Sequence, residues 1–184
     1  MNDDDSAVRW KVVQSWLPEG GVGAELGVFK GHFSKYLLQK NPQRLYLVDP
    51  WYRYSPYWSW VQGQSNSAVH AVRKVFEDYD AEIHARQVVP VIDFSVPFLK
   101  TLPDEHLDFC YLDSSHSYEG TVSELTELRR TIKRDGILLG DDWRDDPSHR
   151  HYGVRCAVEE CIGRGEAILL FQPEVRQWGI RFVK

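Results

Sequence analysis

Three acidic side chains, and the apolar runs that precede them, are the strongest chemical signal in the sequence. The run Leu107-Asp108-Phe109-Cys110-Tyr111-Leu112 stops at Asp113, and the run Gly136-Ile137-Leu138-Leu139-Gly140 stops at Asp141-Asp142-Trp143. Between them Val122, Leu125, Leu128 and Ile132 recur every three or four residues, the period of a helix with one apolar face. A strand–helix–strand unit of this length makes the two strands parallel neighbours, and its right-handed crossover brings both carboxyl ends to one sheet edge. Asp113, Asp141 and Asp142 are therefore expected to converge. Carboxylates so placed repel one another unless a cation or protons compensate, and all-oxygen donors suit a hard divalent ion such as magnesium. Taken singly, each acid has a second reading: Asp113 or Ser115 could cap the helix that starts near Tyr118, with Glu119 in its first turn.

The elements that position these groups are legible along the chain. Val8, Trp10, Val12, Val13, Trp16 and Leu17 give an apolar helical pattern from Ser6 to Leu17, a covering helix within 6–20 that follows the acidic tail 1–5. Val22 to Val28 reads as a short strand running into glycine, followed by Phe29-Lys30-Gly31-His32 and a helix through Phe33, Tyr36, Leu37 and Leu38. Strand, glycine turn and helix open a nucleotide-binding α/β fold, although Gly27-x-x-x-Gly31 does not match the dinucleotide fingerprint. Glu25 stands at the strand end, an acceptor either for an amino-bearing ligand or for loop amides. Arg44 to Val48 is the second strand. It ends at Asp49, about 20 residues beyond the turn, where an acid suits ribose hydroxyls.

After Asp49, six of the ten residues from Trp51 to Trp60 are aromatic with no regular period. The segment reads either as a lid or pocket wall stacking on a flat ligand, or as a self-association surface 51–60. A helix from Ala68 to Tyr79 follows, and Glu82 to Val88 is expected as the third strand. Asp93-Phe94-Ser95 leads into a short helix through Leu99. Past Trp143, His149 and His151 lie on a polar loop, read as exposed or as acting on a substrate. A helix from Gly153 to Ile162 then precedes strands Ala167–Phe171 and Trp178–Phe182, close enough in sequence to pair as an antiparallel hairpin.

Composition bounds the function. At 184 residues the chain suits one domain, and a net charge of −5 supplies no general attraction to nucleic acid or anionic membrane. No stretch reaches the roughly 20 apolar residues that span a bilayer, and the acidic start is unlike a secretory signal, so a cytoplasmic location is expected. Cys110, Cys156 and Cys161 cannot all pair, and lack metal or redox spacing.

Five parallel strands and a closing hairpin describe the class I S-adenosylmethionine-dependent methyltransferase fold. The chain resembles the family of macrocin-type and aminocoumarin-sugar O-methyltransferases through Glu25-Leu26-Gly27-Val28-Phe29-Lys30-Gly31, Asp49-Pro50-Trp51, Asp113-Ser114-Ser115-His116-Ser117-Tyr118 and Gly140-Asp141-Asp142-Trp143. The resemblance implies one Rossmann-like domain over 1–184, with a mostly parallel seven-stranded sheet, helices on both faces and a carboxyl-terminal antiparallel hairpin. It implies that the loop from Glu25 to Gly31, with Gly27 and Phe29, holds the methionine end of S-adenosylmethionine, that Asp49 serves the ribose, that Trp51 is also a cofactor-binding residue, and that Ser95 lies near the adenine. By the same resemblance Asp113, Asp141 and Asp142 are magnesium ligands. Asp113 would take the substrate proton, with His116 either sharing that role or positioning Asp113. The family pattern often has glycine where Phe29 stands. The expected function is O-methyl transfer to a small hydroxylated molecule such as a sugar or polyphenol. The alternatives are an inactive cofactor-binding partner subunit, or an N-methyltransferase with a vestigial metal site.

Overall fold

The computed structural model describes residues 3–51 and 65–184. Of the aromatic run 51–60, all but Trp51 lies outside the described residues. Seven strands form a single sheet: β1 (Val22–Leu26), β2 (Arg44–Val48), β3 (Val88–Val91), β4 (Leu107–Leu112), β5 (Ile132–Gly140), β6 (Ala167–Leu169) and β7 (Trp178–Phe182). Their order is β3-β2-β1-β4-β5-β7-β6. The first five pair in parallel, while β7 runs antiparallel to both β5 and β6. The order reverses between β1 and β4, so the crevice beyond Leu26 and Leu112 is the switch point at which such sheets take ligands.

The strands are apolar on both sides because both faces are covered. Alternate residues of β4 show it: Cys110 and Leu112 belong to one core, Phe109 and Tyr111 to the other. The first core packs helices α5 (Ser95–Thr101), α6 (Tyr118–Thr131) and α7 (Tyr152–Gly163) through Leu99, Leu128 and Val158. The second packs α1 (Asp3–Val13), α2 (Ser34–Leu37) and α3 (Ser65–Asp78) through Trp10, Leu37 and Val75. No helix among the described residues is long and apolar enough to cross a membrane.

Four expectations are corrected. Glu82 to Val88 is not a strand: Asp80–His84 is a short helix, α4, and β3 begins only at Val88. Asp80 and Glu82 sit in the first turn of α4, where acids favour the helix dipole, and Arg86 ends it in the left-handed region at φ 59°. Pro90 is tolerated in β3 because that strand is at the sheet edge. Second, β5 reaches back to Ile132, passing an irregularity opposite Leu107 and Phe109. Third, α1 spans Asp3–Val13, so its apolar continuation Trp16–Leu17 packs as non-helical chain, and β6 ends at Leu169. Fourth, α6 is capped by Ser117, whose hydroxyl accepts from the Gly120 amide at 3.1 Å, and not by Asp113 or Ser115.

Candidate active site

The residues singled out by the sequence stand one step past the strand ends in a row. Asp49 donates its amide to the Val91 carbonyl at 3.1 Å, Gly27 to Val48 at 2.9 Å, Asp113 to Leu26 at 2.8 Å and Asp141 to Leu112 at 3.1 Å. The sheet ladder thus continues into the first residue of each loop.

At the β1 turn, Gly27 has φ 91°, and a Cβ there would lie 1.9 Å from the Asp113 carbonyl oxygen. Only glycine lets the turn pass this close to the end of β4. Phe29 is also left-handed, at φ 50°. It is held there by Asp49, whose Oδ2 accepts the amides of Val28 and Phe29 at 3.0 and 2.9 Å, while Oδ1 accepts the Trp51 amide at 2.7 Å. The Trp51 indole closes the clasp by donating to the Phe29 carbonyl at 2.7 Å. Asp49 therefore shapes the turn, and its Oδ1 keeps a second lone pair for a ligand. Burial pushes its carboxyl up despite those three amides. Trp51 itself is buried in the second core.

Glu25 is 2% exposed and accepts from the Ser34 hydroxyl. Burial pushes its carboxyl up to about 8, against the opposing pull of that hydroxyl. The Gly31 carbonyl accepts from the Tyr79 hydroxyl at 2.5 Å. Ser95, at the start of α5, donates to Glu124 Oε1, as does Ser114 at 2.5 Å. Glu124 is buried on α6 and its other oxygen has no hydrogen bond.

Asp113, Asp141 and Asp142 reach the same edge but divide between two partners. Arg9 Nη1, from α1, donates to Asp113 Oδ2 at 2.9 Å and to Asp141 Oδ2 at 2.5 Å. Its side chain is 1% exposed and its guanidinium lies 4.9 Å from the Phe33 ring centre. Asp141 Oδ1 accepts from Gln177 Nε2 at 2.7 Å, and Gln177 Oε1 accepts from the Tyr111 hydroxyl at 2.6 Å. Arg176 Nε stands 3.6 Å from Asp141 Oδ1, while Arg176 Nη2 binds Asp5 of α1 at 2.8 and 3.0 Å. The Asp113 carboxyl is pushed up to about 7 by burial and by Asp141, more than Arg9 and His116 hold it down.

Asp142 turns away because its backbone is left-handed, at φ 64°. Its Oδ2 lies 3.0 Å from His116 Nδ1 and 2.8 Å from His151 Nδ1, while Oδ1 accepts from Arg144 at 3.1 Å. The two imidazoles stack, with ring centres 4.5 Å apart and planes 19° apart. Burial opposes the charge on Asp142, yet the two histidines hold its carboxyl well below the usual carboxylate range. His116 loses to burial but is raised overall by Asp142, Asp113 and Asp141; His151 is lowered, by burial first. His149 Nδ1 accepts the His151 amide at 3.1 Å. The three-carboxylate convergence is thus replaced by an Asp–Arg–Asp bridge beside a His–Asp–His cluster. Arg9 and the engagement of His151 are the two features that sequence reading missed.

Comparison with known proteins gives the family and the fold. Residues 24–143 match the methyltransferase-domain family. A candidate methyltransferase of Streptococcus mutans, solved in complex with SAH, superposes with a TM-score of 0.62 at 12% identity, covering 100% of both chains. A candidate O-methyltransferase of Klebsiella pneumoniae gives a TM-score of 0.62 at 13% identity, over 100% of this chain and 81% of that one. The TDP-rhamnose 3'-O-methyltransferase of calicheamicin biosynthesis gives 0.59 at 18% identity, over 99% of this chain and 79% of that one. Likeness at these identities establishes the fold. No curated protein matches the chain.

Proposed function

We propose a reaction for this chain, which belongs to the class I S-adenosylmethionine-dependent methyltransferase family: methyl transfer to a hydroxyl oxygen of a small acceptor such as a sugar or polyphenol, with Asp113 as general base. The observation that carries the reading is the Asp113 carboxyl. The Asp113 backbone carbonyl packs against the Gly27 turn, and the pKa of its carboxyl, about 7, lets that group be ionised near neutrality and still take a proton. The sugar O-methyltransferase among the structural neighbours is consistent with an oxygen acceptor.

The residues at the turn fit the cofactor. With no Cβ at Gly27 the turn passes tightly against the end of β4, Glu25 is a buried acid on the adjoining strand, and Asp49 Oδ1 keeps a lone pair beyond those that hold the turn. Glu25 to Gly31 would hold the methionine end, Asp49 the ribose, and the Ser95 end of α5 the adenine. When bound, S-adenosylmethionine supplies an electrophilic methyl on a sulfonium whose sulfur keeps the bonding pair. Arg9 grips Asp113 Oδ2 and fixes the carboxylate, so Oδ1 is the oxygen assigned to the acceptor's proton. Removing that proton as the new C–O bond forms makes the acceptor oxygen nucleophilic. When protonated, His116 favours the ionised form of Asp113.

Magnesium on Asp113, Asp141 and Asp142 does not fit this donor set. Arg9 donates to both Asp141 Oδ2 and Asp113 Oδ2, so a magnesium ion there would meet the buried positive charge of the guanidinium, and Gln177 holds Asp141 Oδ1. Arg9 already compensates the pair.

Calorimetric titration with S-adenosylmethionine and S-adenosylhomocysteine, followed by a methyl-transfer screen over catechols, sugars and other diols, tests the reading. Asp113→Asn is expected to bind both compounds as wild type does and to lose about 10²- to 10⁴-fold in turnover, the usual worth of a general base. Undiminished turnover in Asp113→Asn would remove the base, and no binding of either compound would remove the reaction.

A further inference from the structure

We propose that His116 Nδ1, His151 Nδ1 and Asp142 Oδ2 form a binding site for one borderline divalent transition ion of the zinc and cobalt(II) class, distinct from the carboxylate pair that Arg9 occupies. The site does not depend on which acceptor is methylated.

The donors are already gathered. All three lie within 4.8 Å of one another, and each histidine nitrogen is within 3.0 Å of the shared carboxylate oxygen. Ligands about 2.0 Å from a tetrahedral ion sit roughly 3.3 Å apart, so closing around an ion takes adjustments of tenths of an ångström up to about 1.5 Å. The cluster is poorly explained as a plain hydrogen-bonded group. His151 Nδ1 is buried and makes no hydrogen bond, although Asp142 Oδ2 is only 2.8 Å away. An N–H in reach of a carboxylate but not directed at it, or a lone pair facing it, is unfavourable there. A cation between the two atoms removes the conflict.

The surroundings orient each donor. Arg144 holds Asp142 Oδ1 at 3.1 Å and leaves Oδ2 for the cluster. The His149 ring stands edge-on to His151, with centres 5.1 Å apart, and accepts its amide. Groups that orient ligands in this way are usual around metal sites. The donor chemistry selects the ion: two imidazoles and one carboxylate favour borderline transition ions, whereas magnesium prefers oxygen alone. Three protein donors leave a coordination position open, beside the Asp113 loop that carries His116.

Tag-free protein stripped with chelator and titrated with cobalt(II) tests the site. The expected result is one equivalent bound, with visible d–d absorption, displacement by zinc and indifference to millimolar magnesium. His151→Ala and Asp142→Asn should each weaken cobalt binding by at least about 100-fold, and His149→Ala by less than about tenfold. His151 precedes α7 without capping it by its side chain, so the alanine variant retains the helix, which thermal unfolding of the metal-free protein verifies. Cobalt binding that is equal in wild type and His151→Ala, absent in wild type, or displaced by magnesium at equal concentration overturns the proposal. These readouts involve no methyl transfer, so failure of the site and failure of the reaction are told apart.

Discussion

Replacing Arg9 by Met keeps most of the apolar stem but strands Asp113 and Asp141 without their shared cation. Removing one partner of a buried ion pair costs about 3–5 kcal/mol because the remaining charge stays desolvated. At about 2–4 °C per kcal/mol for a chain of this size, Tm should fall by roughly 6–20 °C at pH 8. The loss must depend on pH. Asp113 has a folded pKa of about 7, above an unfolded value of about 4. Its favourable contribution is therefore complete below about 4 and is lost as pH rises through 7. Arg9 holds the folded value down, so Met at this position raises it further. The gap between wild type and variant should accordingly narrow towards pH 5, by about 1.4 kcal/mol for each unit of further shift. Urea unfolding at pH 5 and pH 8, with m unchanged, measures it. Millimolar magnesium should stabilise Arg9→Met, whose two carboxylates are then free to take a hard cation, and leave wild type unaffected. A gap that is equal at both pH values, or below about 1 kcal/mol at pH 8, would refute the view that Arg9 is the resident cation.

The other expectations concern the turn and the base. Gly27→Ala should abolish cofactor binding in calorimetry and destabilise the fold by at least about 1–3 kcal/mol, because φ 91° is strained for alanine and its Cβ meets the Asp113 carbonyl. Turnover at saturating cofactor should rise about tenfold per pH unit below pH 7 and level off above it, as Asp113 (pKa about 7) loses its proton. A pH–rate profile that is flat between pH 5.5 and 7 would count against Asp113.

Much of the scaffold could be read from the chain because local pattern and tertiary role agree. The apolar run ending at Leu112 and the helical spacing through Leu128 belong to elements buried on both sides, and Trp178–Phe182 is the strand expected. Glu82–Val88 failed because a short stretch with Ile83, Ala85 and Val88 fits a helix end as well as a strand. The acids at the ends of β4 and β5 were placed at the right edge, but their partners were not legible. Arg9 lies 104 residues from Asp113, a lone basic residue between Val8 and Trp10 on a helix that reads only as packing. His151 sits in a polar loop whose composition suggests solvent. Its partnership with Asp142 depends on a left-handed backbone that aspartate adopts more readily than most residues but that no spacing announces.

The row of amides at the carboxyl edge has a consequence for how this site can move. Gly27, Asp49, Asp113 and Asp141 are each tethered through their own N–H to the neighbouring strand, one residue beyond where that strand ends. Hydrogen exchange at these four positions should therefore require opening of the central sheet itself and proceed nearly as slowly as at the strand cores. The turn and the carboxylate proposed to hold the cofactor and take the proton sit on one rigid rim, so an arriving acceptor would meet a fixed distance between the two. Any motion that admits it must come from the side chains and helices laid over that rim, α1 with its Arg9 tether foremost.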